Sequence, residues 1–103
     1  MDFITKVGDT RHALKADLSP AGGAMADVSR VDFHMSTIRG ENVIAREVNV
    51  LSGSSTTFIF TAEEIAKEGE YLGEYRLTYN DGKVEHIPAD SYIQIKILKN
   101  LKE

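Results

Sequence analysis

No cysteine occurs in the 103 residues, which removes disulfides, thiolate zinc sites and a thiol nucleophile together. Tryptophan is absent too, and there are only two prolines. No apolar run approaches the ~20 residues of a membrane-spanning helix. The start, Met1 to Thr10, carries no apolar h-region, so no secretory signal is expected. Neither sign of charge dominates: twelve Lys and Arg face sixteen Asp and Glu, for a formal charge of −4. Nucleic-acid binders concentrate Lys and Arg, because neutralised phosphates supply much of their affinity. Here the densest basic cluster, Lys96, Lys99 and Lys102, sits beside Glu103 and reads as a solvated tail. Neither nucleic acid nor a membrane is an expected partner.

What is present is alternation. Apolar residues make up 42% and charged residues 27%, a balance that suits one folded unit rather than a disordered chain. We expect a single domain over 1–103. Most of it has a period of two, the signal of a half-buried strand. Phe3, Ile4 and Val7 begin a first strand, and Gly8-Asp9-Thr10 turns it. His12, Leu14, Ala16 and Leu18 share one face of a second, before the breaker Ser19-Pro20-Ala21-Gly22-Gly23. Val31, Phe33 and Met35 alternate with polar neighbours. Over residues 43–51 the alternation breaks, and a bulge or kink near Arg46 would reconcile its two halves. Thr56, Phe58 and Phe60 share a face; so do Tyr71, Gly73, Tyr75, Leu77 and Tyr79. Asn80-Asp81-Gly82-Lys83 is a hairpin turn, and Ile93, Ile95 and Ile97 point inward on the last strand.

Between these strands, Thr61-Ala62-Glu63-Glu64 has the form of a capping box. One or two turns of helix near residues 62–68 are expected. The fold class is therefore all-β: an antiparallel β-sandwich of seven or eight short strands with one connecting helix.

The residues show no catalytic constellation. His12, His34 and His86 fall on different expected strands without ligand spacing, so no metal site is expected. Glu63, Glu64, Glu68 and Glu70 cluster on a connecting turn, where the start of a helix favours acids. Ser52, Ser54 and Ser55 flank Gly53 but make no nucleophile elbow. There is no phosphate-binding glycine loop. We expect no enzyme and no cofactor. Ile59 and Leu72 are apolar residues on otherwise polar faces, and they are the candidates for a docking patch. Tyr71, Tyr75 and Tyr79 lie on one strand face. They suit the core, with hydroxyls at its rim. Were that face exposed, they would make a sugar-stacking platform.

The order of turns resembles the N-terminal domain of phage baseplate upper proteins, from tailed phages and prophages of Gram-positive bacteria. The matching pieces are Gly8-Asp9-Thr10, Leu14 with Asp17-Leu18, Gly22-Gly23, and Asp27-Val28 followed by Val31-Asp32-Phe33-His34-Met35. They continue through Phe58-Ile59-Phe60-Thr61, Gly69-Glu70-Tyr71, Glu74-Tyr75, Asn80-Asp81-Gly82-Lys83 and Pro88. The resemblance implies an Ig-like β-sandwich and a non-enzymatic role, as a tail or baseplate module docking to a symmetric tail hub. Its partners would be other phage tail or baseplate proteins and, in a homo-oligomer, further copies of itself. Its place would be the virion, after synthesis in the bacterial host cytoplasm. The alternative is a carbohydrate-binding β-sandwich that recognises host cell-surface glycan through Tyr71, Tyr75 and Tyr79.

Overall fold

The computed structural model describes residues 2–18, 20 and 23–101. Among them are nine strands: β1 (Asp2–Lys6), β2 (Leu14–Asp17), β3 (Val28–Thr37), β4 (Asn42–Glu47), β5 (Val50–Ser52), β6 (Ser55–Phe58), β7 (Gly69–Tyr79), β8 (Val84–Ile87) and β9 (Ile93–Leu98). They form two sheets. The larger runs β1-β9-β7-β3-β4, with β8 also paired to β7; the smaller runs β2-β6-β5. The sheets face each other as a β-sandwich, and the rings of Phe33 on β3 and Phe58 on β6 meet across the gap with centroids 4.6 Å apart.

The alternation in the sequence fills that gap. On β7, Tyr71, Tyr75 and Leu77 are buried, and on β9 so are Ile93, Ile95 and Ile97. Val31, Phe33 and Met35 on β3 and Ile44 on β4 extend the same face, while Leu14, Phe58 and Phe60 cover it from the other layer. Phe60 stacks on Phe3 at 5.6 Å and meets Phe58 edge-on at 5.1 Å. Gly73 interrupts the inward face of β7 because neighbours need its space. A Cβ there would sit 2.8 Å from Ile95 Cδ1 and 2.9 Å from Phe33 Cζ.

β1 runs parallel to β9, with Asp2 beside Gln94 and Lys6 beside Leu98. The expected all-antiparallel pairing is corrected there. Both chain ends enter the large sheet, and a parallel neighbour is the result. The broken alternation over 43–51 is not a bulge at Arg46. β4 ends at Glu47 in the large sheet, and β5 starts at Val50 in the small one. The chain changes layers at Val48–Asn49, so the inward side reverses.

The expected helix near residues 62–68 is also corrected. Residues 62–65 form a turn, and the described residues contain no α-helix, only a 3-10 turn at Met25–Asp27. The capping contacts themselves are present: the Thr61 amide donates to Glu64 Oε1 at 2.7 Å, and the Glu64 amide donates to Thr61 Oγ1 at 3.3 Å. A segment this short cannot offset the cost of helix nucleation. Ile65, fully buried, is drawn into the core instead. The 80–83 hairpin closes as a three-residue loop with Gly82 at φ +88, as the Gly position of such loops requires. Parts of the 19–23 breaker and of the C-terminal tail (Ser19, Ala21, Gly22, Lys102 and Glu103) lie outside the described residues.

Candidate functional site

Two of the three tyrosines face inward. Tyr71 is 8% and Tyr75 1% exposed. The Tyr71 hydroxyl donates to the Lys67 carbonyl at 2.9 Å, at the rim of the sandwich. The Tyr75 hydroxyl is buried without a hydrogen-bond partner. Burial pushes its phenol up; Thr56 acts the other way, although the Thr56 hydroxyl is turned to the Ala16 carbonyl. Tyr79, half-buried, donates to Glu85 Oε1 at 2.6 Å. That hydrogen bond to a carboxylate, reinforced by burial and by the charges of Glu85, Asp27 and Asp81, pushes its phenol up to about 12. A platform of exposed rings is not formed.

A corner of the sandwich depends on a residue that carries no site signal in the sequence. Arg46, near the end of β4, reaches across to the 59–64 segment. Its Nε donates to Glu64 Oε2 at 2.7 Å and its Nη2 to Glu64 Oε1 at 2.8 Å. Nη2 also donates to the Ile59 carbonyl at 2.8 Å, and Nη1 to Asn49 Oδ1 at 3.2 Å. The guanidinium lies 4.1 Å above the Phe58 ring, a cation–π geometry. Asn49 Oδ1 in turn accepts from the Ile59 amide at 2.8 Å. Burial alone would push the Glu64 carboxyl up; hydrogen bonds from Arg46 and Thr61 outweigh it and hold the group below its ordinary range. Arg46 is correspondingly held up by the same carboxylate. Arg46, Glu64 and Asn49 are thus engaged with one another and with the Ile59 backbone, and the corner is structural.

The open chemistry lies on the outer face of the large sheet. Ile4 on β1 is 54% exposed, and Ile38, just past β3, is 61% exposed. With the half-buried Leu72 of β7 they line one shallow hollow of about 380 Å³, and Asp2, Glu70 and Lys96 frame it. Register explains the grouping: Ile4 lies beside Lys96, Lys96 beside Glu70, and Leu72 between Gln94 and Ser36. Of the two expected docking residues, Leu72 belongs to this hollow. Ile59, 42% exposed, follows β6 of the other sheet and does not meet it. The sequence places Ile4 in the first strand but marks neither it nor Ile38 as a docking residue. The signal for Ile4 was there, since it alternates with the inward Phe3 and Thr5; Ile38 stands next to a turn, where periodicity says nothing.

A larger hollow of about 590 Å³ opens at the β7–β8 hairpin, lined by Asp27, Tyr79, Asp81, Lys83 and Glu85. Asp81, Tyr79 and Glu85 are engaged in local structure. Asp81 caps the turn by accepting the Lys83 amide at 2.9 Å, and Tyr79 holds Glu85. The histidines are dispersed: His12 packs on Phe3 at 4.7 Å, and His86 Nε2 lies 3.6 Å from Glu74 on the outer face. Among the described residues, no three His, Asp or Glu side chains converge where a metal ion could be held.

No protein-family profile matches the chain, and no curated protein matches it in sequence. In structure it is similar to CopC from Methylosinus trichosporium OB3b, with a TM-score of 0.55 at 10% sequence identity, over 96% of this chain and 85% of that one. At that identity the likeness defines the class of protein by fold, a β-sandwich, and nothing finer. The structure it resembles is a CopC, not a phage structural protein. The expected role as a tail or baseplate module docking to a tail hub is therefore corrected and set aside. So is the glycan-binding alternative: Tyr71 and Tyr75 are turned into the core, and Tyr79 is held by Glu85.

Proposed function

We propose that this chain is a non-catalytic binding module that engages another protein through the outer face of its large sheet. The supporting observation is the gathering of Ile4, Ile38 and Leu72 around one hollow that Asp2, Glu70 and Lys96 frame. Apolar groups left in water and grouped in this way gain free energy when a partner covers them. The frame is of mixed charge, Asp2 and Glu70 against Lys96. It suits a partner that offers an apolar side chain flanked by both signs of charge, and it disfavours a polyanion. The sandwich is read as Ig-like in the broad sense of two facing layers of short strands in about 100 residues.

Site-specific photocrosslinking in the native host tests the reading. A photoreactive residue at position 38 is expected to give discrete protein adducts, and one at position 59, on the opposite layer, none. Equal labelling from both positions, or no adduct from position 38, would overturn the proposal.

A further inference from the structure

We infer that the exposed edge of β1 pairs antiparallel with the β1 edge of a second copy of this chain, joining two large sheets into one. The argument starts from which backbone groups are open. Val7 donates its amide to the Leu98 carbonyl at 3.0 Å, on the β9 side, and its carbonyl accepts from Asn100 Nδ2 at 2.7 Å. Strand backbone groups alternate sides. Thr5 and Phe3 therefore also turn their amides and carbonyls to β9, and Asp2, Ile4 and Lys6 turn theirs away from it. β9 is the strand paired with β1 among the described residues. Apart from the Lys6 carbonyl, the far edge is a row of donors and acceptors without a backbone partner among the described residues, the usual template for strand addition.

The side chains on that edge are self-complementary. Asp2, Ile4 and Lys6 are exposed on the outer face, while Phe3 and Thr5 are buried. Set a second β1 antiparallel about a two-fold axis at Ile4. Ile4 then faces its own copy, and each Asp2 faces the Lys6 of the other chain. These are the same three residues whose backbone groups are open, so one register satisfies both the ladder and the charges. The two Ile4 amides and carbonyls bond reciprocally, and each Lys6 amide reaches the opposite Asp2 carbonyl. The Lys6 carbonyl already accepts the Asp9 amide at 3.0 Å, which ends the ladder there. A shift by two residues would break both charge pairs. Such an isologous contact is the ordinary form of a two-fold dimer. It also brings two Ile4 side chains, each at the margin of its own hollow, side by side.

The inference rests on the proposed protein-binding role of this face and names the partner as a second copy. A five-residue edge buries less than the ~1,200 Å² of a standard interface, so the dimer is a weak one.

Sedimentation equilibrium of the full chain at rising concentration is the test. We expect a monomer–dimer equilibrium that weakens with added salt. Asp2→Lys alone and Lys6→Asp alone each place like charges opposite one another, and each should weaken the dimer about tenfold or more. Mixing the two single variants should restore association, because both lysines of one chain then face the two aspartates of the other. Ile4→Pro removes an edge-facing amide without touching the β9 ladder, and it should leave a folded monomer by circular dichroism. A chain that stays monomeric to millimolar concentration, or a dimer indifferent to these charge changes, would overturn the inference. Adducts from position 38 to a different protein would still stand in that case, so the two readings fail separately.

Discussion

The Arg46 corner and the outer face around Ile4 divide the polar and apolar work of the protein in opposite ways. At the corner a charged pair is largely withdrawn from water, and its hydrogen-bonding capacity is filled by Glu64, Asn49 and the Ile59 carbonyl. On the outer face apolar side chains stand in water, and the neighbouring strand edge lacks a partner strand among the described residues. Removing one member of the first arrangement leaves a partly buried group unsatisfied, which is costly. Removing a member of the second leaves the isolated fold almost unchanged, because nothing within the chain depends on it. On the proposed reading, fold stability and association reside in separable parts of the fold.

Four measurements would break or sharpen that contrast. Arg46→Ala strips Glu64 of its partner and Phe58 of its cation. With both ends partly in contact with water, the loss should be about 2–3 kcal/mol by urea denaturation. Gly73→Ala lies beneath the outer face, on the same strand as Leu72, and forces a methyl against Phe33 and Ile95. It should cost roughly 1–3 kcal/mol, which would show that the sheet under the proposed docking face is as closely packed as the corner.

Acid should act on the corner. The Glu64 carboxyl is held below its ordinary value, so its contribution is complete above about pH 4.3. The contribution is lost as pH falls through the lowered folded-state value. The stability gap between the natural chain and Glu64→Gln should thus be constant near neutrality and close in acid. A gap that widened on acidification would contradict the assignment. The smallest effect is expected from Leu72→Ser with Ile38→Ser: stability within about 0.5 kcal/mol of the natural chain, with crosslinking from that face lost.

Much of the architecture was legible because strand alternation is a local property. Phe33, Tyr75 and Ile95 could be placed inside from their neighbours alone, and Asp81-Gly82 marked a turn whatever the topology. The 62–68 segment was harder to read. Its capping residues were identified correctly as a pair, but Glu64 also answers to Arg46, eighteen positions earlier, and Ile65 to the core. Those long-range demands selected a turn. The face around Ile4 was half legible. Leu72 stood out, whereas its grouping with Ile4 and Ile38 follows from β1, β7 and the end of β3 lying in one sheet.

Which side chains alternate inward and where the chain turns are properties of the linear sequence, because each depends on residues within a few positions of one another; the lack of cysteine and of a long apolar run is read there too. Long-range packing selected the parallel pairing of β1 with β9, the change of layers at Val48–Asn49, the closure of Arg46 on Glu64, and which strand edge stays open. Those features are pairings between distant segments, and the free energy that selects among them comes from the whole core at once.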